Sequence, residues 1–206
     1  MKKQFIVIEG IDGSGKTTQA ELLQSYLKNC GAKAVISPEP SSGIIGNLIR
    51  QSLKKRVFFT TDRELFDEQM AYLFAADRHD HLYNDIDGVY KLIDDGFYVI
   101  STRYYFSSLA YNCHNSEQFD FISKLNHKFP PPDATIYLDI PVAVSQDRRK
   151  NRSLKEIYET EAKLTLVKTN YERIFSNYDG KLLIIDGTQE PDLVRQQIVD
   201  FLSLNL

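Results

Sequence analysis

A short segment near the N-terminus has the residue types and spacing of a loop that holds phosphate groups. The pattern G-x-x-x-x-G-K-[ST] is matched by Gly10-Ile11-Asp12-Gly13-Ser14-Gly15-Lys16-Thr17, between an apolar run and a stretch with helical spacing. The glycines let the backbone curl so that successive N–H groups face a polyphosphate, and the following helix adds its positive N-terminal end. Lys16 is expected to bridge the β- and γ-phosphates, and the Thr17 hydroxyl to ligate Mg²⁺.

This segment, residues 10–17, is called the phosphate-binding loop below. A GTPase of this size would also need a guanine-reading Asn-Lys-x-Asp, and the sequence has none. The likelier relatives are therefore the small nucleotide kinases, which use ATP. The predicted ATP-binding residues are Gly10, Ile11, Asp12, Gly13, Ser14, Gly15, Lys16, Thr17 and Thr18.

The elements that must position this loop alternate along the chain. Short apolar or β-branched runs, which predict buried strands, occupy 5–9, 33–37, 97–102, 134–139 and 181–186. Stretches with helical spacing lie between and after them, at 17–30, 44–55, 63–94, 104–128, 142–178 and 191–204. Parallel strands joined by right-handed helical crossovers explain this order, so we predict a three-layer α/β fold.

Chemically suggestive residues follow the predicted strands. The phosphate-binding loop follows the first strand, Glu39 the second, Arg103 the third and an arginine-rich helix the fourth. Because ligands of parallel sheets bind at the carboxyl ends of the strands, we expect these residues to meet at one edge.

Composition restricts the function classes. The net charge of −3 and the isoelectric point near 5.8 argue against a nucleic-acid partner. The two cysteines cannot form a disulfide framework, and no segment approaches the roughly 18 apolar residues of a membrane span. The 206 residues suit one domain, and we predict a cytoplasmic protein with no membrane partner.

Several further segments, taken with the phosphate-binding loop, resemble the thymidylate kinase family in order and spacing. The matching segments are 5–10, Pro38-Glu39-Pro40, Leu73-Phe74-Ala75-Ala76-Asp77-Arg78, Arg103-Tyr104, 107–111, Pro132-Asp133 and Ile136-Tyr137-Leu138-Asp139. The resemblance implies a P-loop kinase fold with a five-stranded parallel sheet and a short lid near 148–160. It also implies a homodimer that phosphorylates dTMP to dTDP with ATP and Mg²⁺, a step of dTTP synthesis.

The resemblance assigns an acceptor site for dTMP. Phe74 would stack on the pyrimidine, Arg78 would bind the edge of the base, and Arg103 would hold the 5′-phosphate with its planar fork. The other residues it places there are Glu39, Ser107, Ser108 and Tyr111. From the residues alone, Phe74 is better explained as a core residue and Arg78 as a surface cation, and only the resemblance reverses this. For Ser107 and Ser108, the surface of a helix is an equally good explanation.

Catalysis is assigned by the resemblance to Lys16, Asp12 and three arginines at the start of the lid. Asp12 would lie in the environment of the acceptor 3′-hydroxyl or of Mg²⁺. Arg148, Arg149 and Arg152 would neutralise charge on the transferred phosphoryl group as the lid closes. The alternative for these arginines is that they complete the dipole of a helix C-terminus.

Three positions depart from the family pattern, and each loses a charge. Thr102 stands where an aspartate is usual, Pro38 where an arginine is usual, and Ile157 in place of a lid arginine. Two alternatives therefore accompany the assignment to dTMP. One is a kinase of the same fold for another pyrimidine monophosphate, and the other is a catalytically weak protein that binds nucleotide.

Overall fold

The sheet follows the predicted strands closely. A computed structural model describes residues 4–57, 60–150 and 160–203. The strands are β1 (Phe5–Glu9), β2 (Lys33–Ile36), β3 (Phe97–Thr102), β4 (Ala134–Asp139) and β5 (Leu182–Asp186). They form one parallel sheet of five strands in the order β2-β3-β1-β4-β5. The predicted α/β fold with a five-stranded parallel sheet is confirmed.

The helices cover both faces of this sheet. They are α1 (Lys16–Asn29), α2 (Ile44–Leu53), α3 (Arg63–Tyr83), α4 (Val89–Asp94), α5 (Tyr105–Tyr111), α6 (Ser116–Asn126), α7 (Val142–Arg149), α8 (Glu161–Ser176) and α9 (Pro191–Leu202). Within the three described ranges, no helix combines the length and hydropathy needed to cross a bilayer.

Alternation along β1 separates two apolar cores. Phe5 and Val7 are buried in the core formed with α2, α3, α5 and α8, and Ile6 and Ile8 in the core formed with α1 and α9. All four side chains are at most 2% exposed. A strand that is apolar on both faces is what a sheet covered on both sides requires, so the three layers follow directly from the sequence.

The three longest predicted helices were wrong in extent, because polar side chains that form a turn or cap a new helix divide them. The predicted helix 63–94 is divided where the Asn84 side chain accepts the Ile86 N–H at 2.8 Å. The turn also needs Gly88, where a Cβ would lie 2.4 Å from the Asn84 carbonyl oxygen. Local side-chain hydrogen bonds of this kind compete with helical ones.

The predicted helices 104–128 and 142–178 are divided at N-capping residues. Asn115 accepts the Gln118 N–H at 2.9 Å and starts α6, and Thr160 accepts the Lys163 N–H at 3.3 Å and starts α8. Asparagine and threonine favour the N-cap because they satisfy a free N–H group of the first turn.

A buried ion pair joins α3 to α8. Lys163 Nζ lies 3.6 Å from Asp67 Oδ2, and both side chains are 1% exposed. His114 Nε2 also contacts this carboxylate at 2.5 Å. Burial lowers the pKa of Lys163, although the charge of Asp67 raises it. Breaking such a pair leaves an uncompensated charge in the interior.

Lys163→Met is therefore expected to lower the free energy of unfolding by about 3–5 kcal/mol, measured by urea denaturation at pH 7. The matched control is Lys91→Met, which removes the exposed Lys91–Asp95 pair, with side chains 42% and 46% exposed. That control should cost less than about 1 kcal/mol. If the two variants lost the same free energy of unfolding, burial would not increase the contribution of the Lys163–Asp67 pair to stability.

Candidate active site

The phosphate-binding loop connects β1 to α1 at the carboxyl edge of the sheet. Two of its glycines are required by its geometry. Gly10 has φ +149°, and a Cβ there would lie 2.7 Å from the Leu138 carbonyl oxygen. Gly13 has φ +80°, a conformation that residues with side chains rarely adopt. The loop can therefore bring its backbone close to a ligand.

Lys16 is folded onto this loop. Its Nζ donates to the carbonyl oxygens of Gly10 at 2.8 Å and Ile11 at 2.9 Å, and the residue is 8% exposed. The ammonium group is thus held at the start of α1, beside the backbone N–H groups that a polyphosphate would use. The Thr17 side chain is exposed at the same place and lines the adjoining cleft.

A cleft of about 680 Å³ runs from the phosphate-binding loop across the strand ends. Its walls include residues from the ends of β2 and β3 and a segment after β5, residues 187–191. The residues predicted from sequence that line it are Asp12, Gly13, Ser14, Gly15, Lys16, Thr17, Thr18, Glu39, Phe74, Arg78, Arg103, Ser107, Ser108, Tyr111 and Arg148. The structure therefore brings the predicted ATP-binding and acceptor residues into one cavity.

Three predicted residues lie behind the walls of this cleft, and one cannot be placed. Gly10 and Ile11 do not line it, and the Ile11 side chain is 1% exposed in a core. Arg149 also does not line the cleft: it is 8% exposed and its Nε donates to the Ser145 carbonyl oxygen at 3.2 Å. Arg152 is the predicted site residue that cannot be placed, because residues 151–159, which include Ile157 and most of the predicted lid, lie outside the described residues.

Arg103 has a backbone conformation that is rare for a residue with a side chain, with φ +81°. Its neighbours hold this conformation. The Arg103 N–H donates to the Ile8 carbonyl oxygen at 3.0 Å, and the Ser101 hydroxyl donates to the Arg103 carbonyl oxygen at 2.9 Å. Backbone strain of this kind persists where surrounding bonds fix it, and it occurs often at functional sites.

The Arg103 guanidinium forms an ion pair with Asp12 of the phosphate-binding loop. It also donates to the Ser107 hydroxyl at 3.0 Å, and its Cζ lies 4.7 Å from the centre of the Tyr111 ring. Burial alone would raise the pKa of Asp12, but the charges of Arg103, Lys16 and Arg149 outweigh it and lower that pKa. The site therefore holds Asp12 as a carboxylate.

Glu9 lies beneath this cluster, and the sequence analysis did not identify it. Its carboxylate is fully buried and accepts hydrogen bonds from the Tyr104 N–H at 2.7 Å and from the Ser107 and Tyr171 hydroxyls at 2.8 Å each. Burial raises the pKa of Glu9, against the charge of Arg103 and these hydrogen bonds. The position of Glu9, an acidic residue at the end of an apolar strand, could have indicated a functional role. No pattern in the sequence indicates that Tyr171 belongs to the site.

Arg78 is buried at the other end of the cleft. Its Nε and Nη2 donate to Glu39 Oε2 at 3.0 and 2.7 Å, and Nη2 also donates to the Ser108 hydroxyl at 3.2 Å. Glu39 Oε1 lies 3.3 Å from His81 Nδ1. Phe74 is half-buried, packs against the core and also lines the cleft.

Two further groups of cleft residues were missed. Arg50 of α2 donates to the carbonyl oxygens of Pro40 at 2.7 Å and Ser41 at 2.6 Å, and no pattern in the sequence distinguishes it from other helix cations. Residues 187–191 directly follow β5. Because ligands of parallel sheets bind at the carboxyl ends of the strands, these residues could have been predicted from the position of the fifth strand. Arg148 bridges this segment to the loop, donating to Gly187 O at 3.0 Å and Gly13 O at 3.3 Å.

The oxygen ligands available near the phosphate-binding loop fit Mg²⁺ rather than a metal held by the protein alone. They are the Thr17 hydroxyl and the Asp12 carboxylate, and the described residues contain no cluster of three or more acidic, histidine or cysteine side chains. Mg²⁺ is commonly held by one or two protein oxygens together with substrate phosphates and water.

The lowered pKa of Asp12 predicts a pH dependence of stability. The carboxylate contributes stability above its ordinary pKa of 3.8, and this contribution is lost as the pH falls through the lower folded value. Asp12→Asn should therefore lower the free energy of unfolding by roughly 1.5–3 kcal/mol at pH 7, and by progressively less below pH ~4.

The measurement is urea denaturation at a series of pH values, with the exposed Asp120→Asn as control. The control should follow the native curve throughout. A difference between Asp12→Asn and the native protein that stays constant down to pH ~3 would contradict the ionised pair with Arg103.

Comparison with known proteins agrees with this geometry over nearly the whole chain. The family described as thymidylate kinase matches residues 8–198. A probable thymidylate kinase of Methanococcus aeolicus is 37% identical over 201 residues, covering 95% of this chain and 94% of that protein. A thymidylate kinase of Akkermansia muciniphila is 33% identical over 204 residues, covering 98% and 93%.

The fold also matches a solved structure. The thymidylate kinase of Candida albicans, described as having broad substrate specificity and a novel structural element, superposes with a TM-score of 0.79 at 26% identity. The match covers 99% of this chain and 92% of that one. On the family match, the curated relatives and the shared fold, this chain belongs to the thymidylate kinase family.

Proposed function

We propose that this protein transfers the γ-phosphoryl group of ATP to dTMP, giving ADP and dTDP. The observation that carries the proposal is that one cleft is lined both by the phosphate-binding loop and by Arg103 with its contacts Ser107 and Tyr111. Lys16 and Arg103 both line it, and Asp12 belongs to the loop while pairing with Arg103. A kinase needs its donor and acceptor phosphates at adjacent places, and this arrangement supplies them.

The donor side is the phosphate-binding loop with the N-terminus of α1. Loop N–H groups, the helix dipole and Lys16 would hold the β- and γ-phosphates of ATP. Residues 187–191 line the same cleft beyond the loop, together with Gln19, whose amide donates to the Pro191 carbonyl oxygen at 2.9 Å. This part of the wall would accommodate the remainder of the donor nucleotide.

The acceptor side lies between Arg103 and Arg78. The Arg103 fork would hold the 5′-phosphate of dTMP, and Ser107 and Tyr111 would contact phosphate and sugar. Phe74, half-buried in the wall of the cleft, would stack on the pyrimidine, and Arg78, held by Glu39 and Ser108, would bind the base edge. Tyr111 beneath the deoxyribose would disfavour a 2′-hydroxyl.

The reaction needs no covalent enzyme intermediate. The bond between the γ-phosphorus and the bridging oxygen to ADP breaks, and an acceptor phosphate oxygen bonds to that phosphorus. Lys16 would neutralise the donor side of the transition state, with Arg148 and Arg149 as further cations. Mg²⁺, held by Thr17 and the Asp12 environment, supplies charge neutralisation at the phosphates when bound.

Three further properties predicted from the sequence and its resemblance to the family are part of the proposal. We propose a homodimer, and Leu65 and Tyr72 of α3, 55% and 50% exposed, supply an apolar surface for it. We also propose that residues 1–206 act as one cytoplasmic kinase domain whose lid lies near 148–160.

A second candidate is phosphorylation of another pyrimidine monophosphate. Thr102 lines the cleft at the position where the family pattern has an aspartate, which changes the charge beside Arg103. The broad substrate specificity ascribed to the Candida albicans enzyme makes this candidate testable alongside dTMP. A nucleotide-binding protein with weak catalysis is the remaining alternative.

The test is ADP release with ATP and Mg²⁺ against dTMP, dUMP, dCMP, dGMP, dAMP, UMP and CMP, with a control lacking acceptor. We expect dTMP to give the highest kcat/KM. Highest turnover with another monophosphate would replace the proposed acceptor. Binding of ATP without acceptor-dependent turnover would replace the kinase with the nucleotide-binding alternative.

The control for contaminating kinases is Lys16→Ala, which should reduce turnover at least about 10³-fold because it removes the cation at the transferred group. Lys28→Ala, at the exposed end of α1, should retain native activity. Native turnover in Lys16→Ala would assign the activity to another protein in the preparation.

Arg103→Ala should act chiefly on the acceptor. We expect the KM for dTMP to rise about 10²-fold with a much smaller change in the KM for ATP, because a bidentate contact to phosphate is lost. The exposed Arg56→Ala should leave both values unchanged. An unaltered KM for dTMP in Arg103→Ala would remove Arg103 from the acceptor site.

A further inference from the structure

The Arg78 guanidinium is almost fully occupied by the protein itself. It is 1% exposed, and it makes two hydrogen bonds to Glu39, one to Ser108 and one to Asn126. The rings of Tyr104 and Phe129 lie 5.4 and 5.6 Å from its Cζ. Among the described residues, these contacts take up every N–H group of Arg78 but one, and that one belongs to Nη1.

Asn126 is the residue that holds Nη1. It is the last residue of α6, it is 5% exposed, and it is not among the residues that line the cleft. Its Oδ1 accepts from Arg78 Nη1 at 2.5 Å, while its Nδ2 donates to the Ile122 carbonyl oxygen at 2.8 Å. The contact with Ile122 fixes the orientation of the amide, so the oxygen is the atom presented to Arg78.

We propose that Asn126 is a specificity-determining positioning residue, which acts on the acceptor base through Arg78. The proposal rests on the proposed function, because it takes Arg78 to bind the base edge. Because the guanidinium is planar, a bond from one Nη1 hydrogen to Asn126 helps to set the direction in which the other Nη1 hydrogen points. Glu39 and Ser108 hold the opposite side of the guanidinium, so the plane cannot rotate while Asn126 is in place.

A single fixed N–H group selects among pyrimidines by hydrogen-bonding type. Arginine has donors and no acceptor, so the remaining Nη1 hydrogen can bind a carbonyl oxygen but not an amino group. Thymine and uracil carry a carbonyl at position 4 of the ring, and cytosine carries an amino group there. A buried site that presents an unpaired donor to an amino group discriminates strongly against it.

The experiment compares kcat/KM for dTMP, dUMP and dCMP in the native protein and in Asn126→Leu, which removes the acceptor at similar volume. We expect the preference for dTMP over dCMP to fall about tenfold, mainly through KM, because Nη1 is released. The preference for dTMP over dUMP should stay unchanged, because both bases present the same carbonyl. A purely structural loosening would lower all three values together.

Two variants complete the test. Asn126→Asp retains an oxygen acceptor for Nη1 and should keep the native preference for dTMP over dCMP. Asn170→Leu is the matched control, because Asn170 also donates from a part-buried amide, to Ala110 O at 2.9 Å, without contacting Arg78. It should change stability without changing either preference. If Asn126→Leu does not fold, Asn126→Ser serves for the same comparison.

A native preference for dTMP over dCMP in folded Asn126→Leu or Asn126→Ser would overturn the role of Asn126. This outcome is distinct from failure of the proposed function, in which the native protein itself would show no turnover of dTMP.

Discussion

The buried carboxylate of Glu9 is the interaction on which the active-site cleft depends. It lies where β1 ends, and it binds the backbone at the junction of β3 and α5, a hydroxyl on α5 and a hydroxyl on α8. A carboxylate in the interior is costly unless donors surround it, so its three donors cannot be lost singly without penalty. These donors fix Tyr104, which directly follows Arg103, and Ser107, to which the Arg103 guanidinium donates. Contacts made by neighbouring residues therefore help to hold Arg103 in its strained backbone conformation.

The strands and the phosphate-binding loop could be predicted because their determinants are local. Buried runs such as 97–102 and 134–139 are apolar on both faces, and their bounds in the structure are the predicted ones. The loop is specified by its glycines and Lys16 within a few residues. The helix breaks were missed because an Asn84 or Asn115 side chain that replaces helical hydrogen bonds looks like any polar residue of a helix surface.

The contacts that tune the cleft could not be predicted, because each joins distant segments. The partner of Arg103 is Asp12, and that of Arg78 is Glu39 on one side and Asn126 on the other. Sequence reasoning found the cations by their resemblance to a family and had no means of finding what holds them. The effect of Thr102, where the family pattern has an aspartate, could likewise not be predicted from the sequence. Arg103 keeps a carboxylate partner, although it comes from the loop after β1 rather than from the adjacent residue.

The cations of the cleft all bind oxygen atoms of the protein itself, and this affects which anions can bind there. Lys16 is bonded to the Gly10 and Ile11 carbonyls, Arg148 to those of Gly13 and Gly187, and Arg103 to Asp12. An anion that binds one of these cations competes with oxygen atoms that the cation already contacts, so its net gain is smaller than at a cation without such contacts. Inorganic phosphate, which can replace only one or two such bonds, gains little. A nucleotide replaces several of these bonds at once and adds the stacking of its base. We therefore expect the abundant small anions of a cell to compete only weakly with nucleotides for the cleft.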